Sequence, residues 1–252
     1  MTDLPHDDDP WAWLHARSAS EGPAWADVEV TAVVEPRPGT DAARCRAAID
    51  AGELTPDAVV VADARGDQPG EWLWILPADS EPTPGALRAL LVTLGRRPEL
   101  DLIGPLLVEP RRRGPGIIVR QLGQTVTATG RIQGLVAPGE LYQGQLDTTD
   151  ALATDATGLL VRGEVWRALN GFNRDLPESH RGAEFCWRAR LAGHEVAVEP
   201  AAQVITHAGP PDPADAPIDL RMYVTHDGKA MSETWIYQVF PSQLHALLAE
   251  HA

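Results

Sequence analysis

Cysteine is scarce: the 252 residues hold two, Cys45 and Cys186, far apart and outside any CxxC or Cys/His spacing. That spacing argues against a disulfide framework or a zinc site and suits a reducing cytoplasm. Basic residues are outnumbered 36 to 21, and a net charge of −15 repels a phosphate backbone or an anionic bilayer at long range. Nucleic acid is therefore not an expected partner. No apolar run approaches the roughly 20 residues that span a bilayer. The opening MTDLPHDDDP is acidic where a secretory leader is basic. The expectation is a soluble, cytoplasmic protein with no transmembrane segment. No glycine-rich Walker loop or GxGxxG follows an expected strand, and no GxSxG elbow is present, so dinucleotide and serine-hydrolase chemistry fall away.

What is present suits one large α/β domain. Hydrophobic residues make up 44% of the chain, enough to bury a core. Residues 1–27 carry acids, prolines and Trp11, Trp13 and Trp25, and read as a peripheral arm. Alternation from Val28 to Val34 predicts the first strand, and a helix follows from Thr40 or Asp41 to Gly52. The run Val59-Val60-Val61 predicts a buried strand over 57–63, which completes a βαβ unit. A second apolar strand, Trp72 to Leu76, ends in polar residues. Thr83 as N-cap and Pro84 at the first helical position open a helix with Leu87, Leu90, Leu91 and Leu94 on one face. Leu102 to Val108 predicts a strand, with Pro105 placing it at an edge, a bulge or a strand end.

Residues 110–150 read as an excursion over the sheet, rich in Gly, Thr and Gln. A strand over 158–161, helices over 164–169 and 183–192, and a strand carrying Val196 and Val198 that stops before Pro200 close the domain. A proline-rich linker and tail occupy 210–252. Alternating strands and helices predict a mostly parallel, Rossmann-like sheet flanked by helices, which binds ligands at the carboxyl ends of its strands.

That rule singles out Glu35, Asp63, Asp79 and the loop over 36–39. Asp79 and Glu81 follow an apolar strand, where a carboxylate could hold a divalent cation against a diphosphate, or cap the next helix. Asp63 could bind a ribose hydroxyl or a base edge, or cap its loop. His207 follows another apolar stretch and is either a metal ligand or structural. Glu184 starts a helix, where the dipole favours a carboxylate, and its chemical alternative is a general base. Arg111, Arg112 and Arg113 form a basic run that could pair with phosphate or stay solvated.

Three stretches resemble family 2 glycosyltransferases of the GT-A fold, particularly actinobacterial polysaccharide and rhamnosyl-transferase-like members. They are Trp72 to Leu91, Thr157 to Asn173, and Glu184 to Gly209. The resemblance covers residues 28–209 and implies inverting transfer of a sugar from a nucleoside-diphosphate donor to a glycan or cell-envelope acceptor. It also implies a membrane-associated glycan-assembly partner. On the matching positions, Asp79 is the second acid of the DxD-type motif and a ligand of Mn²⁺ or Mg²⁺, His207 is the closing histidine near that metal, and Asp63 helps hold the nucleotide.

Departures from the family pattern are specific. The first DxD position is Pro77. The acid pair before the helix aligns with Arg181 and Gly182, which leaves Glu184 as the next acid along. The link from Asp63 to Trp72 is too short for the helix, strand and glycine-rich loop expected there, so the nucleotide-binding half is shortened. Two functions follow: a working transferase, or a catalytically inactive module that binds glycan or protein.

Overall fold

A computed structural model describes residues 28–111, 115–126, 132–176 and 178–207. The expected arm and tail, together with Arg112 and Arg113, lie outside the described residues. Strand β1 (Val30–Glu35) is buried along its length because parallel strands flank it on both edges, β2 (Ala58–Val61) and β3 (Trp72–Pro77). Helix α1 (Ala43–Asp50) carries the crossover from β1 to β2. Then come β4 (Ser80–Pro82), α2 (Ala86–Arg96) and β5 (Leu100–Pro110). The excursion forms β6 (Ile117–Leu122), β7 (Gln124–Val126), β8 (Ile132–Gly134) and β9 (Thr149–Asp150). Strand β10 (Leu159–Arg162), helices α3 (Gly163–Ala168) and α4 (Glu178–Leu191), and strand β11 (Glu195–Thr206) complete the described chain.

The main sheet has the order β2-β1-β3-β10-β5-β11-β4, with β6 on β5 and β9 on β11, and β7 and β8 form a separate ribbon. Strands β1, β2, β3, β5 and β11 run one way, while β10 is inserted antiparallel between β3 and β5. This is a mixed, mostly parallel, Rossmann-like sheet flanked by helices. Alternate side chains of β1 and β3 go to opposite faces. Val30, Ala32, Val34, Trp72, Trp74 and Leu76 pack with Ile49 of α1 and with Leu87, Leu90 and Leu91 of α2. Val33, Leu73 and Ile75 pack with Val165, Trp166 and Phe185 from α3 and α4. Both faces are apolar because both are covered, which is the physical reason these strands read as continuous hydrophobic runs.

Three expectations are corrected. The run at Val59 to Val61 forms an edge strand, not a buried one: β2 pairs with β1 alone, and Val61 is 44% exposed. Thr83 does not cap α2. Ser80 to Pro82 pair with β11, which holds Thr83 in the connection, where its hydroxyl donates to Gln203 O and Gly85 takes the cap position. Strand β11 continues through Pro200 to Thr206 by way of an irregularity between Glu199 and Gln203. That irregularity lies opposite Pro105 and Leu106. On its other edge β5 pairs with β10 through Leu102 and Ile103 and with β6 from Leu106 onward. Pro105 therefore sits in a gap of the ladder, where its missing N–H costs no hydrogen bond.

Candidate functional site

The chain leaves β1 for β2 on one side and returns to β3 on the other, so the strand order reverses between β1 and β3. Open α/β sheets bind ligands at the carboxyl ends flanking such a reversal. Here Glu35 of β1 stands beside Pro77 of β3, with Arg37 just past one strand and Asp79 just past the other.

Glu35 is buried and already engaged. Its Oε1 accepts from the Ala64 N–H at 3.1 Å and from Arg174 Nη2 at 2.7 Å, and the same Arg174 nitrogen donates to Ala64 O at 2.6 Å. The carboxylate thus ties the loop after β2 to Arg174, which comes from the loop after α3. Asp63, next to Ala64, is exposed at the mouth of this arrangement. Arg181 at the start of α4 donates to Leu176 O at 3.2 Å and to Arg174 O at 3.4 Å. Burial pulls the Arg181 guanidinium below its ordinary value and neighbouring Arg174 adds to this, while Glu35 and Asp63 push back. Arg174, Arg181 and Arg37 bring three guanidinium groups to one end of the sheet.

Arg37 is the most enclosed of the three, with a side chain 19% exposed. Its Nη1 pairs with Glu178 of α4. Its Nε lies 3.5 Å from Asp79 Oδ1 without hydrogen-bond geometry, so this buried nitrogen has no hydrogen bond. Burial lowers its pKa; Asp79, Glu35 and Asp155 raise it, and Arg181 lowers it. Asp155 lies in the loop before β10. Its Oδ1 accepts from the Thr157 N–H at 2.8 Å and its Oδ2 from Gln124 Nε2 at 3.4 Å. Burial pushes its carboxyl above the usual range, against the opposing pull of Thr157 and of Arg37.

The structure brings Asp79 and His207 together only through backbone, His207 N–H donating to Asp79 O at 3.3 Å. The imidazole Nε2 meets Glu81 Oε1 at 2.7 Å, and Arg44 pairs with the same oxygen at 2.9 Å. Pro77 offers no side-chain ligand, and its carbonyl accepts from Ser80 Oγ at 2.6 Å. Among the described residues no three His, Cys, Asp or Glu side chains are placed to hold a metal ion together. A divalent cation does not fit this arrangement: the carboxylate meant for it is beside a guanidinium and the imidazole is on another acid.

Glu184 is also spoken for. Its side chain is 3% exposed, and both oxygens accept from Arg188, one helical turn on, at 2.5 and 2.8 Å. Arg188 in turn donates to Leu169 O and Gly171 O at the end of α3. The carboxylate points into the packing of α3 on α4 and has no path to an acceptor hydroxyl. Nor is there room for an acid two residues earlier. A Cβ on Gly182 would overlap the backbone of Thr154, Asp155 and Ala156, so the loop before β10 lies where the family's acid would project. The two thiols are inert by burial, which pushes Cys45 to about 11 and Cys186 to about 12.

The strand-end rule found Glu35, Asp63 and Asp79. It reached Arg37 only as part of the 36–39 loop, without naming it, and missed Arg174 and Asp155, whose signals were weak: an arginine after Asn173, and an acid in a loop of small residues.

No family model and no curated protein matches the sequence. Among solved structures, GalNAc-T7 with UDP, GalNAc and Mn²⁺ superposes with a TM-score of 0.53 at 10% identity, over 72% of this chain and 44% of that one. The fold is GT-A-like. TarS 1–349 of S. aureus in complex with UDP-GlcNAc is similar at a TM-score of 0.47 and 9% identity, over 72% of this chain and 60% of TarS. The chain thus spans less than two thirds of either neighbour. No helix among the described residues is long and apolar enough to cross a membrane.

Proposed function

We propose that this chain is a glycosyltransferase-like domain that binds the diphosphate of a nucleotide sugar at the carboxyl ends of β1 and β3. The observation that carries this is the reversal of strand order at Glu35 and Pro77, with Arg174, Arg181 and the exposed Asp63 gathered beside it. Guanidinium groups suit phosphate oxygens, and a carboxylate at a strand end suits a ribose hydroxyl. The finer reading is inverting transfer in the manner of family 2. An acceptor hydroxyl of a glycan or cell-envelope substrate attacks the anomeric carbon opposite the diphosphate. The bond to the diphosphate breaks, and a carboxylate takes the hydroxyl proton. A cytoplasmic setting beside a membrane-associated glycan-assembly partner goes with that reading.

A second reading is favoured by the base position: Gly182 carries no acid and Glu184 is held by Arg188. The domain then binds donor or glycan without transferring the sugar. Calorimetric titration of the full chain with UDP and with dTDP tests the shared premise. Saturable binding weakened by Arg174→Ala is expected, and a folded protein that takes up neither nucleotide sinks the donor-site reading for both. Release of nucleotide from the bound donor in the presence of acceptor glycans then separates transferase from silent module.

A further inference from the structure

The divalent cation that the GT-A resemblance implies finds no ligand set here, and a group of the chain itself stands at the place where it would lie. Arg37 leaves the carboxyl end of β1 between Pro36 and Pro38 and turns its guanidinium toward Asp79 at the end of β3, the carboxylate matched to the metal-holding position. Two carboxylates contact that guanidinium, Glu178 and Asp79, and the charges of Glu35 and Asp155 act on it from beyond contact. The one like charge felt there is Arg181. Arginine stays protonated at any working pH, so the pocket holds a permanent positive charge. The Nε is buried with no hydrogen bond, as expected of a group placed by the charges around it more than by fitted acceptors.

We infer that Arg37 occupies the cation position of this GT-A-like site, so that the site excludes divalent metal and binds a donor diphosphate without one. The second half of this statement rests on the donor-site reading above; the first half stands on the carboxylates around Arg37 alone. With the guanidinium in place, an approaching Mn²⁺ meets like charge and an Asp79 already paired. Without it, Asp79 and Glu178, the two carboxylates in contact with Arg37, lose their counter-charge, while Glu35 stays paired with Arg174, and a hard cation is favoured beside the two freed carboxylates.

Mn²⁺ uptake, read from the paramagnetic resonance signal of the free ion, is to be compared for the wild-type chain, Arg37→Met, and Arg88→Met, which removes the same charge from an exposed position on α2. The wild type and Arg88→Met are expected to show no uptake that depends on Asp79. Arg37→Met is expected to gain about tenfold or more in Mn²⁺ affinity, equivalent to about 1.4 kcal/mol, and to lose the gain on adding Asp79→Asn. Wild-type UDP affinity is expected to be equal in Mn²⁺ and in EDTA. Wild-type Mn²⁺ binding abolished by Asp79→Asn, or a folded Arg37→Met that gains none, would overturn the inference. If Arg37→Met does not fold, the wild-type measurements decide it by the same criteria. UDP binding that requires Mn²⁺ overturns the inference and leaves the donor site standing. No UDP binding under any condition, with the metal gain present, removes the donor site and leaves Arg37 in its place.

Discussion

Glu184 and Arg188 show how one residue's neighbours decide its chemistry. The sequence places Glu184 at a helix start, but α4 begins at Glu178 and puts it mid-helix, where it is buried and bound at both oxygens by an arginine that also closes the end of α3. Removing one partner of such a pair leaves an uncompensated buried charge, which costs about 3–5 kcal/mol. Arg188→Ala is therefore expected to lower unfolding stability by that order in urea titration, and Arg188→Ala with Glu184→Leu to recover much of it. A single variant as stable as wild type would show that the pair contributes little. At this scale the site was half legible. Acids that follow an apolar run, such as Glu35 and Asp79, can be placed at strand ends by counting residues. Their partners cannot, because Arg174 and Arg37 reach them across 139 and 42 positions of sequence respectively.

Among the elements, α2 and β2 make the contrast. The leucines of α2 follow the i, i+3, i+4 spacing of one face, and Leu87, Leu90 and Leu91 are buried as that spacing requires. The valines of β2 are as apolar, yet two of its four residues, Ala58 and Val61, are exposed. Periodicity reports which faces of a strand can be buried and says nothing of whether a further strand lies beyond its edge. Leu90→Ala is expected to destabilise by about 2–5 kcal/mol, the range for truncating a fully buried leucine. Val61→Ser is expected to stay within about 0.5 kcal/mol, as for a surface change. Equal losses for the two in denaturant titration would place β2 inside the protein instead of at its edge. The stop of α3 was readable, where Asn170 and Gly171 both take positive φ as an Asn-Gly pair does readily, while the starts of α2 and α4 were not.

For the molecule as a whole, a charge of −15 means that folding gathers excess negative charge. Repulsion between exposed charges is screened over about 8 Å at physiological salt. The thermal midpoint is expected to rise as NaCl is added from very low ionic strength, and a fall would mean that surface ion pairs such as Arg97–Asp150 outweigh the net repulsion. The alternation of apolar runs and helical faces determined, without any coordinates, that the chain makes an α/β sheet covered on both sides and which strand ends carry acids. Those are local properties, set by side-chain period and by short-range turn chemistry. Tertiary structure alone decided that β10 enters antiparallel between β3 and β5, that β2 is left at the edge, and that Asp79 faces Arg37 while Glu184 faces Arg188. The physical reason is that pairing order and charge partners are settled by packing between segments distant in the chain, where spacing along the sequence carries no distance.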